Sequence, residues 1–370
     1  MNRNQFQRTQ EAVALAAVTS GQSLGYRNVI TNGAMQVAQR ATSVASITTS
    51  GYYTADRFQI NVGTLGTWTQ SVENDAPTGS GFRKSLKMTC TTADASPAAG
   101  DLLILETKVE GQNLQQFLKG TASAKAFTLT FWVKGSTTGT YISELRDHDN
   151  SRVVSASYTI SAANTWEKKT LSFPADTTGA FDNDNALSLS VFWWLGAGTD
   201  YTSGTLNTTW ASVTNANRAV GQTNLGGATS RSWQITGVQL EAGSVATPFE
   251  FEDYGTTLAK CRRYYTRFAG GSVYSNIAQG HAALTTAISI TWNLPVAMRV
   301  EPTSIDVSSV AASDFINAVL VPSSVTIESG NSGPDVVHLV CAVTGATQFR
   351  PYVLGNNNNA DGYVGVGAEL

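Results

Sequence analysis

Charged residues are scarce in this chain: Asp, Glu, Lys and Arg make up 14% of its 370 residues, where an ordinary soluble domain carries about 25%. The net charge is −3, and no basic stripe appears beyond Lys260, Arg262, Arg263 and Arg267. Neither nucleic acid nor an anionic membrane surface is therefore expected as a partner, since both demand clustered cations. Cysteine is rarer still. Cys90, Cys261 and Cys341 are odd in number and too widely spaced for a disulfide framework or a zinc site, so buried free thiols are expected. With three histidines, no Gly-x-Ser-x-Gly elbow and no His-Glu-x-x-His, the common hydrolase motifs are missing and no enzyme is expected. No apolar run reaches the roughly eighteen residues that span a bilayer, which argues against membrane insertion. The run AVALAAVTSG (12–21) follows Glu11 and a polar opening and is too short for a secretory signal core. No internal repeat is present, so a long repeat-built β-helix is not expected.

What the chain does have is glycine, 33 residues of it, set with Ser, Thr and Asn between short runs that alternate apolar and polar side chains. That pattern predicts a mainly β protein with many tight turns. FTLTFWV (127–133) places Phe127, Leu129, Phe131 and Val133 on one strand face and Trp132 on the other. ALSLSVFWWL (186–195) sets Leu187, Leu189, Val191 and Trp193 against Ser188, Ser190, Phe192 and Trp194. Clusters such as GSTTG, DHDN, DTTG and AGTD mark the turns. EGQNLQQFL (110–118) reads either as a helix or as a turn plus strand. Two distant segments, RNVITNGAMQVAQR (27–40) and WQITGVQLEAGSVATPFE (233–250), read as strands lying side by side. In the second, alternation slips at Thr236-Gly237, the mark of a bulge. A sandwich whose first and last strands are neighbours is a jelly roll.

The expected organisation has four parts. A helical arm fills 1–26, with a helix over 5–19 ended by Gly21 or Gly25. The jelly-roll β-sandwich takes 27–250, a short linker helix falls within 251–267, and a second small β-sandwich or barrel domain occupies 268–370. A helix as short as the first is marginal alone. Phe6, Val13 and Leu15 are accordingly assigned to packing on copies of itself or on a larger anchor.

Three stretches, VEGQNLQQFLKGTASAKAFTLTFWVKGSTTGTY (109–141), NTWEKKTLSFPADTTGAFDNDN (164–185) and WQITGVQLEAGSVATPFEFEDYGTTLAKCRRYY (233–265), resemble a family of phage tail-fibre-like virion proteins. That family carries a carbohydrate-binding-module-like jelly roll. PVAMRVEPTS (295–304) and DGYVGVGAEL (361–370) resemble the C-terminal domain that follows it there, a small β tip. The resemblance implies a tail or head fibre assembled in the host cytoplasm and homotrimeric; residues 1–26 lie outside the match, and attachment to other virion proteins through them is expected from the helical arm alone. It also implies receptor binding to host surface glycans without cleavage. The alternatives are a head fibre or capsid decoration protein with no receptor role, and a polysaccharide depolymerase. The family supplies no catalytic motif to carry over.

Glycan binding needs aromatic faces for sugar C–H groups and polar side chains for hydroxyls. Trp194 and Trp132 lie opposite the stronger apolar stripes, and Tyr201 and Trp210 lie in the Thr/Asn-rich loop over 196–218, so these four are the candidate rings. Core packing is the alternative for each, because alternation does not say which sheet face is inner. His148 joins them from LRDHDNSR (145–152), the densest titratable cluster, which a hairpin turn explains equally well. Asp182 and Asp184 are candidates for a structural calcium, without the glycine and terminal glutamate of an EF-hand loop; no other cofactor is expected.

Overall fold

The alternating runs form strands that pair antiparallel throughout. In the first unit these are β1 (Ser43–Ile47), β2 (Gly51–Tyr52), β3 (Phe58–Gly63), β4 (Thr67–Glu73), β5 (Ser85–Thr92), β6 (Leu102–Glu110), β7 (Phe127–Gly135), β8 (Gly139–Asp147), β9 (Arg152–Ile160), β10 (Glu167–Phe173), β11 (Leu187–Ala197), β12 (Ala211–Ser212) and β13 (Ser232–Ala242). The structure, a computed structural model, describes residues 26–269, 271–316 and 319–370. The helix expected over 5–19, with Phe6, Val13 and Leu15, lies outside them. One unit runs to Tyr254, and a second spans Gly255–Glu369.

Two sheets make the first unit, a jelly-roll sandwich. One has the order β1-β4-β5-β13-β7-β10, the other β12-β9-β8-β11-β6-β3-β2. Their facing sides enclose a core built on Trp68, Trp193, Trp233, Phe58, Phe127 and Phe131, all essentially without solvent exposure. Phe131 meets Trp193 edge to face, with centroids 5.9 Å apart. Each such ring contributes about 1.5–3 kcal/mol by leaving water, which is why every second residue of the long strands is apolar. The stretch 110–118 forms no α-helix and no further strand after Glu110 closes β6. It makes two 3-10 turns, Gly111–Asn113 and Gln115–Phe117, which drop Phe117 flat onto Phe127 at 4.1 Å.

The expected bulge is present. The β13–β7 register shifts between Thr236 and Gln239, and Gly237 sits at φ +63°, a conformation that favours glycine. The 27–40 segment does lie along β13, but not as a strand. Val29 N donates to Leu240 O (3.1 Å) and Val238 N to Gly33 O (2.9 Å), while the Leu240 N–H is taken by the Asn28 side chain (3.1 Å). The bulge throws the ladder out of step, and a side-chain oxygen fills the missing place. Gly33 approaches so closely that a Cβ there would collide with the Val238 carbonyl.

The second unit opens on a helix, α1 (Tyr254–Arg262), within the stretch expected to be helical. Its strands are β14 (Tyr265–Ala269), β15 (Asn276–Leu284), β16 (Ala287–Asn293), β17 (Ser304–Ser308), β18 (Val310–Ser313), β19 (Val319–Leu320), β20 (Ser324–Ile327), β21 (Val336–Ala342), β22 (Pro351–Asn356) and β23 (Tyr363–Gly367). They form a three-stranded sheet, β14-β23-β17, and a seven-stranded one, β19-β18-β22-β15-β16-β21-β20. Ile288, Ile290, Trp292, Leu339 and Leu354 fill the core. All three cysteines are buried free thiols.

Candidate functional site

The outer face of the first unit's seven-stranded sheet is where side chains converge without belonging to the core. Antiparallel pairing places directly opposed residues on the same face, so the register defines rows across it. One row runs Tyr52, Gln59, Glu106, Phe192, Glu144 and Ser155, from β2 to β9. It crosses six strands and spans about 24 Å, at roughly 4.8 Å per strand spacing. On one side lies an apolar row of Ile104, Trp194 and Ile142; on the other, a polar row of Lys108, Ser190 and Arg146, with His148 just past the end of β8.

The apolar side is closed over. A loop across 198–223 folds back so that Ala219, Tyr201 and Leu206 pack on Ile104, Ile142, Phe192 and Trp194. Arg218 reaches down from this loop and grips both oxygens of Glu144 at 2.7–3.1 Å. Its guanidinium lies 5.0 Å from the centre of the Trp194 ring and 5.5 Å from that of Phe192. Glu144 is fully buried, so its carboxylate needs that planar fork to replace water.

On the polar side the contacts form a chain. Asn61 donates to Glu106 Oε2 and Ser190 Oγ to Glu106 Oε1, each at 2.6 Å, and His148 Nε2 lies 2.9 Å from Ser190 Oγ. Since the serine proton goes to Glu106, His148 Nε2 must carry the hydrogen of the second bond. Burial, and then the charges of Arg146, Lys108 and Arg218, push the His148 imidazole down to about 4, so it is neutral at physiological pH. The order is serine between histidine and glutamate. A nucleophilic triad needs histidine in the middle, taking the serine proton. This chain instead fixes side chains. Beside it, Gln59 Oε1 and Arg146 Nε are buried atoms with no hydrogen-bond partner. An acceptor and a donor left open on one face call for a polar ligand or water.

The expected rings are not one platform. Trp132 lies on the outer face of the other sheet, opposite Lys168 of β10. Trp194 is on the candidate face but has 0% exposure beneath the loop, so it offers no surface for a sugar. Trp210 is a core residue, 9% exposed, with its indole N–H bonded to Pro174 O and its ring 5.6 Å from Phe127. Tyr201 is half-buried, tilted against Trp194 at 5.2 Å. His148 alone of the five joins the polar chain. Asp184 Oδ1 accepts the N–H of Ala186 and so shapes its own turn, while the Asp182 backbone N–H donates to the Asp149 carboxylate. Among the described residues no group of three or more His, Cys, Asp or Glu is placed to hold a metal.

Tyr52, Gln59, Asn61, Arg146 and Ser190 were not singled out from the sequence. A signal existed in RFQINVG (57–63), where Gln59 and Asn61 alternate with Phe58, Ile60 and Val62. Polar residues facing out from a strand are common, however, and only the register brings these beside Glu106 and Ser190.

No protein-family model matches the chain, and no curated protein does. Among solved structures, the chain is similar to the enzymatically active domain of tailspike protein 4 of bacteriophage CBA120, with 15% identity and a TM-score of 0.31 over 59% of this chain and 22% of that one. A family 11 carbohydrate-binding module of Clostridium thermocellum, in complex with a mixed-linked β-1,3-1,4 tetrasaccharide, gives 9% identity and 0.28 over 55% and 98%. The module TmCBM61, in complex with β-1,4-galactotriose, gives 10% and 0.29 over 58% and 99%.

Proposed function

We propose that the outer face of the seven-stranded sheet binds a glycan, and that the chain is a phage virion fibre protein adsorbing to host surface polysaccharide without cleaving it. The observation that carries this is two buried polar atoms without partners on this face, Gln59 Oε1 and Arg146 Nε, on either side of a rigid Asn61–Glu106–Ser190–His148 chain. The several hydroxyls of a glycan both donate and accept, which suits an acceptor and a donor set three strands apart on one face, and pre-set side chains lose little entropy on binding. Half-buried Tyr52, at the edge of the same row, supplies an aromatic flank.

The way the carboxylates on this face are tied supports binding without cleavage. Glycoside hydrolysis needs two carboxyl groups free to face the bond. Glu106 has one oxygen on Asn61 and the other on Ser190, and both oxygens of Glu144 are held by Arg218. The virion assignment rests on the sequence resemblance. A homotrimer is proposed with it, because three weak faces presented together gain the avidity that one lacks.

The test is binding of the purified chain to host cells before and after periodate oxidation of their glycans. Gln59→Ala and Arg146→Ala should each weaken binding several-fold while the polysaccharide stays intact. Binding that survives periodate, or is unchanged in both variants, overturns the site; no binding at all moves the role to capsid decoration.

A further inference from the structure

A second cluster, unrelated to the glycan face, sits at one edge of the sandwich core. Lys119 follows the turn Gln115–Phe117, and its side chain has no solvent exposure. Its Nζ lies 2.6 Å from Oδ2 of Asp147, also unexposed, at the end of β8, and 3.1 Å from Oδ2 of Asp176. The rings of Phe181 and Trp210 each stand 5.2 Å from the nitrogen and close it off. An amine, a carboxyl and a second carboxyl in a dry aromatic box are what amide formation requires.

We propose that Lys119 Nζ and Asp147 Cγ condense into an intramolecular amide, with Asp176 as the proton carrier. A proton first passes along the 2.6 Å hydrogen bond from Nζ to Oδ2, leaving a neutral amine beside a neutral acid. The amine lone pair attacks Cγ. The Asn150 N–H, 3.0 Å from Oδ1, stabilises the oxyanion that forms there. Asp176 takes a second proton from the nitrogen and returns it to Oδ2. The C–Oδ2 bond then breaks and water leaves. Of the three ammonium protons, two depart in the water and one stays on the amide nitrogen, where the carbonyls of Thr178 or Gly179 accept it. Nothing is oxidised or reduced.

Charge explains why the cluster favours this over remaining an ion pair. Asp176 has its own cation: Arg152 donates to both of its oxygens, at 2.7 and 3.0 Å. Condensation removes one buried plus and one buried minus and leaves the Arg152–Asp176 pair balanced. A water-free ion pair has lost its hydration, and reactants held in hydrogen-bond contact escape the entropic cost of meeting. The product ties the segment before β7 to the end of β8, 28 residues apart.

The experiment is the intact mass of the full chain after denaturation, followed by peptide mapping. The expected mass is one water below that of the sequence, with a branched peptide joining Lys119 to Asp147. Asp176→Ala and Lys119→Arg should return the full mass. A wild-type chain of full mass overturns the proposal and leaves an ion pair, whether or not the variants fold. A lost water that maps to a succinimide at Asp361-Gly362 overturns it equally.

Discussion

Acidification should weaken the fold through one side chain, His148, between the ordinary imidazole range and its folded value. Its folded value near 4 lies about 2.5 pH units below the ordinary 6.5. At about 1.36 kcal/mol per unit that separation is worth roughly 3 kcal/mol. The folded state holds the imidazole neutral, whereas the unfolded chain takes up a proton as soon as the pH falls below 6.5. Stability is therefore complete above 6.5, drains away on the way to 4, and levels off below. Carboxylates whose folded values are depressed act in a lower window, whereas burial raises Glu144 and Asp149, whose protonation opposes the loss. Burial raises Asp176, yet its hydrogen bonds, those from Arg152 foremost, together outweigh it and hold the group below its ordinary 3.8, so its contribution is lost only as the pH falls beneath that value. The assay is urea unfolding of wild type and His148→Gln from neutral pH down to about 4. Glutamine keeps a donor for Ser190 and cannot titrate, so its curve should stay flat where the wild type falls. Ring-proton NMR of His148 should show no titration at 6.5. Parallel curves for the two proteins, or a ring titrating near 6.5, would refute the reasoning.

Two further outcomes follow from buried geometry. Arg218→Ala leaves the Glu144 carboxylate without its fork and should cost about 3–5 kcal/mol in chemical denaturation; the double variant with Glu144→Gln should regain much of it, and a merely additive double variant would argue against direct coupling. Gly33→Ala drives a methyl group against the Val238 carbonyl and should lower stability by about 1–3 kcal/mol, whereas an unchanged urea midpoint would mean that the 27–40 segment is not held against β13.

The fold class was legible because alternation with glycine-rich turns has few other solutions, and Gly237 betrayed the bulge of β13 before its register was known. The site was largely hidden. In β11 the outer face is polar at Ser190 but aromatic at Phe192 and Trp194, where it lies under the 198–223 loop, so alternation marks rings as outward-facing that the loop in fact covers. Alternation assigns a residue to a face of its own strand, not to a sheet; hence Trp132 and Trp194, alike in pattern, lie on different sheets. Gln59, Glu106 and Ser190 meet only through pairings across long separations, which no local window contains.

The seam along β13 also sets a timetable. Asn28 bonds to residues 210 and 212 positions further on, at Val238 and Leu240. During synthesis Asn28 therefore has no β13 to bond until nearly the whole sandwich has left the ribosome, although Asn32 and Gln39 can already meet Asp56. Loops of that length close slowly and must be paid for in entropy before any contact rewards them. A nascent chain halted before β13 exposes the centre of the six-stranded sheet, with β5 and β7 lacking the strand that joins them. Truncated products of this protein should for that reason be aggregation-prone, and maturation should be a late, all-at-once event rather than a gradual one.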